Sequence, residues 1–241
     1  MNIFNSNKIH IFDISQGLPE KIKDFFEKTI TILTNKDTLF QNLEEVILYF
    51  YNIKNKADYF SQSNAFLLEK EKLKRTNLLY QSQFLPIMFF NENLDKNTRF
   101  YKIRIMAIEK SKYFELTEND FKIKYINNYN NKLNKFVRDN NFIYKNFFLN
   151  EFIRNIDCLV HSEESFDNFI RTCLFKLSVS NFLITCLAFE EKKKINLNDY
   201  IEVISATSKM FQNSVEINLK MINFFKKLDK NNLFLRLFDI Y

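Results

Sequence analysis

Along most of this chain apolar side chains recur every three or four residues, the spacing that gathers them on one face of an α-helix. After Gly17 and Pro19, which mark a helix start, Ile22, Phe25, Phe26, Ile30 and Leu33 form one such stripe. Leu39, Leu43, Val46, Ile47 and Phe50 form a second, and residues 57–75 read as a third helix. Residues 78–90 are strongly apolar and contain Pro86, which is expected to end or kink any helix around it. The polar run NENLDKN at 91–97 is the best loop in the chain. It divides an N-terminal helical subdomain (residues 1–90) from a C-terminal one (residues 98–241).

Beyond that loop the spacing predicts a helix over 99–110, carrying Ile103, Met106 and Ala107. Thr117 is placed to cap the next helix, with Asp120 at the capping-box distance. That helix is expected to bury Phe121, Tyr125, Tyr129, Leu133, Phe136 and Val137 and to break at 139–141. A densely aromatic helix follows over 142–156. Ser162 then caps a long apolar stretch to Phe189, with Glu163 and Glu164 at its positive end and residues 192–194 (KKK) at its negative end. Residues 182–188 are apolar nearly all round, so this helix is expected to be central. Asp199 with Glu202, and Asn213 with Glu216, open two further helices. The pattern as a whole describes an all-α bundle of roughly eight to ten helices. Residues 8–14 (KIHIFDI) alternate like a short strand, the one candidate for β structure.

Composition sharpens this. The 241 residues include one glycine, two prolines, no tryptophan and 29 phenylalanines, and beyond Pro86 neither glycine nor proline occurs. Glycine lets a backbone take positive φ or approach a phosphate closely, so glycine-rich phosphate loops, dinucleotide fingerprints and nucleophile elbows are excluded. Asparagine is expected to do the turn and cap work that glycine normally shares. Abundant Phe, Ile, Asn, Lys and Tyr with scarce Gly, Pro and Ala is the skew of AT-rich coding. The net charge is +6, but Lys and Arg are mixed with Glu and Asp rather than gathered in a stripe, which argues against a nucleic-acid partner. Three cysteines give no disulfide framework, and with no signal peptide visible they point to a reducing cytoplasm. The longest uncharged runs, 76–91 and 177–189, are too short for a membrane span.

Candidate chemistry is sparse. Cys158 and His161 have a C-x-x-H spacing, but a closed zinc site wants four ligands and only isolated Cys173, Cys186 and His10 remain. No metal site is expected. The carboxylate pairs Glu44–Glu45, Glu163–Glu164 and Glu190–Glu191 are adjacent, so on a helix their members point apart. The aromatic pairs Phe25–Phe26, Phe89–Phe90, Phe147–Phe148 and Phe224–Phe225 each place one ring on an apolar stripe. Some second members are expected to be exposed, or buried against a neighbouring subdomain or partner. A protein-binding surface is therefore the physical hint of function that the residues carry, and it leaves room for oligomers.

The C-terminal half resembles the helical part of the flagellin lysine-N-methylases, the FliB type, through the order of its features over residues 99–228. KNFFLNEFIRNI (145–156) is similar to a family stretch of Asn, aromatic and aliphatic residues, and LSVSNFLITCLA (177–188) resembles the apolar helix after it. LNDYIEVISATSKMF (197–211), with its serines followed by Lys209, and EINLKMINFFKKL (216–228) resemble the closing helix pair. The resemblance implies a divergent or truncated methylase-like protein, with methyl transfer from S-adenosylmethionine to flagellin lysines. The family's cysteine-rich N-terminal motif has no counterpart, since residues 1–150 contain no cysteine, and no catalytic or cofactor-binding residue is assigned. Two other classes fit the pattern: a non-catalytic helical adaptor and a TetR-like regulator. The regulator is disfavoured because residues 19–53 lack the glycine-marked turn and basic recognition helix of a helix-turn-helix.

Overall fold

The computed structural model describes residues 20, 23, 24, 27, 81–83, 85–90, 96–140, 142–159, 163–190 and 194–213. Among them every regular element is helical and no strand occurs, as the periodicity requires. The candidate strand at 8–14, the loop residues 91–95 and the helices expected over 39–50, 57–75 and beyond 213 lie outside the described residues. Residues 20, 23, 24 and 27 are helical, in keeping with the stripe that begins at Ile22.

Six α-helices follow the helical residues 81–83 and 85–90: α1 (Arg99–Ser111), α2 (Glu118–Asn128), α3 (Asn134–Asp139), α4 (Phe142–Leu159), α5 (Glu163–Leu187) and α6 (Leu197–Asn213). Residues 85–90, Pro86 among them, are helical. A single π turn, Tyr129–Leu133, joins α2 to α3. The chain divides into two compact units. One takes residues 1–59 and 144–170, the other residues 60–143 and 171–241.

Within the first unit, Phe147 and Phe148 on α4 meet edge to face at 5.7 Å, and both are buried. The buried Glu151 is approached by Arg154 one turn on, at 3.9 Å.

In the second unit the core is aromatic. Residues 175–189 are all buried, so α5 has no solvent face over its second half; the nearly all-round apolar run 182–188 predicts this for its last turns, and the polar residues before it are buried as well. Phe175 packs against Phe89 and Phe211 at 6.0 and 5.7 Å, and Phe182 against Phe90 and Tyr125 at 5.2 and 5.6 Å. Rings 5–6 Å apart in tilted or edge-on pairs add specific attraction to the area they bury. Phe89 and Phe90 are thus both in the core, the second ring of the pair being buried against neighbouring elements because residues 85–90 carry neighbours on two sides. α6 packs against α1, and Arg99 Nε donates to Glu202 at 2.8 Å across their exposed edge.

Helix ends show how the chain manages with so little glycine. Thr98, Thr117 and Asn196 each accept a backbone N–H at a helix start, from Tyr101, Asp120 and Asp199. Asp120 is too short to reach back as a capping-box glutamate would, and instead accepts the Thr117 hydroxyl at 2.7 Å. α3 stops at Asn140, whose amide donates to the Phe136 carbonyl at 2.9 Å, so asparagine takes the cap work expected of it here. The left-handed position is filled differently. α1 ends in a Schellman motif, Tyr113 N to Ile108 O and Lys112 N to Glu109 O, which places Lys112 at φ 53°.

Among the described residues Lys112 is the one non-glycine with positive φ. A Cβ in this conformation costs about 1–2 kcal/mol, of which glycine would return about half after its greater unfolded-state entropy. Lys112→Gly is therefore expected to stabilise the protein by about 0.5–1 kcal/mol and to raise Tm by about 1–4 °C, measurable by calorimetry. The exposed Lys112–Glu115 pair that it removes, at 3.8 Å, offsets little of this.

Candidate functional site

Polar side chains concentrate in the middle of the second unit, where α5 meets its neighbours. Lys176, Ser178, Ser180, Asn181 and Thr185 of α5 and Tyr200, Thr207 and Ser208 of α6 are all buried. Buried polar groups need partners, and three of these find them one turn back on their own helix. Ser180 donates to Lys176 O at 2.8 Å, Thr185 to Asn181 O at 2.7 Å and Thr207 to Val203 O at 2.8 Å. The contact between helices is the Tyr200 hydroxyl, which donates to Asn181 Oδ1. A second long-range pair, Tyr125 OH to Gln81 Oε1 at 3.1 Å, ties α2 to the helical residues 81–83. These groups fix which helix faces meet. The buried Arg104 acts similarly, donating to Phe89 O at 3.2 Å with its guanidinium 4.8 Å over the Tyr101 ring.

The second concentration is basic and lies at the C-terminal end of α5. Lys132 Nζ donates to Ala188 O at 2.6 Å and to Glu190 O at 2.7 Å. Lys110 pairs with the Glu190 carboxylate at 2.9 Å, and Lys124 stands 5.4 Å over the Phe189 ring. Cations are favoured where a helix leaves its last carbonyls without partners. Residues 192–194 were the expected source of that charge; Lys194 is exposed, and 191–193 lie outside the described residues. Sequence reasoning missed Lys132, because it comes from another element 56 residues away.

A local signal did mark the element that carries it. Phe121, Tyr125, Tyr129, Leu133 and Val137 are all buried and recur strictly every four residues. At 3.6 residues per turn that spacing drifts about 40° per step, roughly 160° over the series, so one face cannot hold all five without a wide turn. The π turn at Tyr129–Leu133 supplies it.

Cys173 and Cys186 are both buried, and neither forms a disulfide. Burial pushes the Cys186 thiol well above its ordinary value, and a hydrogen bond with Ser111 opposes this only in part. A thiol held protonated is neither a nucleophile nor a ready metal ligand. Because its folded pKa is raised, its stabilising contribution is complete below the unfolded thiol value, about 8.5, and is lost as pH rises past it. The unfolding free energy is expected to fall with pH above about 8.5, and to fall less steeply in Cys186→Ala, as denaturant titrations at pH 7–10 would measure. Cys158 lies on α4, and its C-x-x-H partner His161, like His10, lies outside the described residues.

Among the described residues no three His, Cys, Asp or Glu side chains converge as metal ligands. Glu163 and Glu164 are the first two residues of α5, where its dipole favours them. Glu190 is exposed and paired with Lys110; Glu44, Glu45 and Glu191, with Phe25, Phe26, Phe224 and Phe225, lie outside the described residues. Burial, then the Glu118 carboxylate, raise the Tyr113 phenol above its ordinary value. No helix among the described residues is long and apolar enough to cross a membrane.

No curated protein and no solved structure matches the chain. The family described as the FliB lysine N-methylase C-terminal domain matches it over residues 15–236, a span that takes in both compact units, the polar seam and the lysine cluster. That span extends well beyond the residues 99–228 on which the resemblance was read, and with it the chain belongs to the FliB lysine N-methylase C-terminal domain family.

Proposed function

We propose that this protein works in flagellin lysine N-methylation, holding a flagellin segment as its protein substrate while S-adenosylmethionine supplies the methyl group. The observation that carries this is the family match over residues 15–236. In such a transfer the unprotonated lysine amine attacks the sulfonium methyl carbon. The C–N bond forms as the C–S bond breaks, S-adenosylhomocysteine leaves, and the amine's proton passes to solvent. A site for this reaction must desolvate the lysine, which lowers its pKa and frees the lone pair. With Gly17 as the only glycine, the donor cannot be held on a glycine-rich loop of the usual kind. No residue is assigned to the transfer.

The test is incubation with purified flagellin and methyl-labelled S-adenosylmethionine. Label on flagellin lysines is the expected result. Flagellin binding without label, and no calorimetric signal from S-adenosylmethionine, would instead support the adaptor reading. Neither label nor flagellin binding would sink both.

A further inference from the structure

We propose that the outer side of the α2–π turn–α3 element is a docking surface for an acidic protein segment. Residues 121–138 contain five cations (Lys122, Lys124, Lys132, Lys135 and Arg138) and no carboxylate, a charge of +5 in one element of a chain whose net charge is +6. Cations and acids are mixed over most of the chain, but here they separate: Glu118 and Asp120 stand before the run and Asp139 after it. Lys124 and Lys132 reach toward the end of α5, and the outward charge is that of Lys122, Lys135 and Arg138. Lys135 and Arg138, three residues apart, share a helix side and are exposed. Among the described residues none of these three outward cations pairs with a carboxylate.

The π turn points to the same side. If Asn131 were removed and the segment ran as an ordinary α-helix, the steps between the five buried residues would turn by about 40°, 40°, −60° and 40°, keeping all five within roughly 80°. The inward side therefore does not require the extra residue. What the wide turn adds is outward: Asn130 and Asn131 are both exposed. Wide turns kept inside α-helices are frequent at functional sites.

A protein segment fits this surface better than a nucleic acid. Single strands stack their bases on exposed rings, but Phe121, Tyr125 and Tyr129 are buried, and Phe136 is half-buried against Tyr200 at 5.4 Å. Asparagine amides both donate and accept, as a peptide backbone requires, and the cations match Asp or Glu side chains. The identity of the partner as flagellin rests on the methylation reading above; its acidic chemistry rests on this surface.

Fluorescence anisotropy of a labelled polyglutamate peptide with the full chain tests this. Binding at low salt that weakens as salt rises is expected, because exposed charges are screened. Lys135→Glu combined with Arg138→Glu should weaken it by about tenfold. Lys194→Glu combined with Lys209→Glu, an equal change of charge at exposed positions outside the element, should leave it within about twofold. Deletion of Asn131 should weaken binding while keeping the urea midpoint in place. The proposal is overturned if polyglutamate does not bind, if the two charge reversals weaken it equally, or if a DNA duplex binds more tightly than the peptide. It is equally overturned if deletion of Asn131 leaves binding unchanged or lowers the urea midpoint. Polyglutamate binding without flagellin binding would keep this surface and remove flagellin as its partner.

Discussion

Phe182→Ala is expected to lower the unfolding free energy by about 3–5 kcal/mol, the range for truncating a fully buried phenylalanine. Its ring is 0% exposed and packs between Phe90 and Tyr125 at 5.2 and 5.6 Å. Residues 175–189 are buried on every side, so no neighbour can swing in from solvent to fill the space. The loss combines transfer of the ring's area with the cavity left behind. A shift in the urea midpoint measures it. Phe114→Ala is the control, because Phe114 is 68% exposed and its truncation should stay within about 0.5 kcal/mol. Equal effects at the two positions would mean that α5 is not the centre of its unit.

The second large effect concerns the link between α5 and α6. Tyr200→Phe removes the hydroxyl that donates to Asn181 Oδ1, and Asn181→Leu removes the acceptor. Each single change takes a hydrogen-bond partner from a buried polar group, at about 1–3 kcal/mol. The double variant strands neither end of the bond, so its loss should fall short of the sum by about 0.5–3 kcal/mol. A double-mutant cycle in urea reads this coupling directly. Additivity within about 0.3 kcal/mol would show that the two side chains do not act on one another.

What the sequence made legible follows from the range of the forces involved. α1, the Thr117 cap, the stop at 139–141 and the central place of α5 are set by residues within a turn or two of each other, and they were read correctly. Thr98 and Asn196 were legible in principle as caps, but turn residues are so common in this composition that neither stood out. The π turn was written in the strict fourfold spacing of Phe121 to Val137, a pattern easily mistaken for an ordinary helical stripe. Lys132 at Ala188 and Arg104 at Phe89 were not legible, because nothing near a lysine or arginine in sequence says which distant carbonyl it will meet. The chemistry was harder still. Cys158 and His161 offer two ligands at a spacing that needs four, and the family is legible in the order of segments rather than in any single reactive residue.

The cation beyond the end of α5 bears on how the chain reaches its fold. A glycine cap is local, so a helix so terminated can finish itself as soon as it forms. Here the Ala188 carbonyl is met by Lys132, 56 residues away. That end cannot be completed until a distant element has docked, and contacts of large sequence separation form late because loop closure must precede them. Folding of α5 is thus expected to run from its middle outward, with the closing of its C-terminal end among the last events.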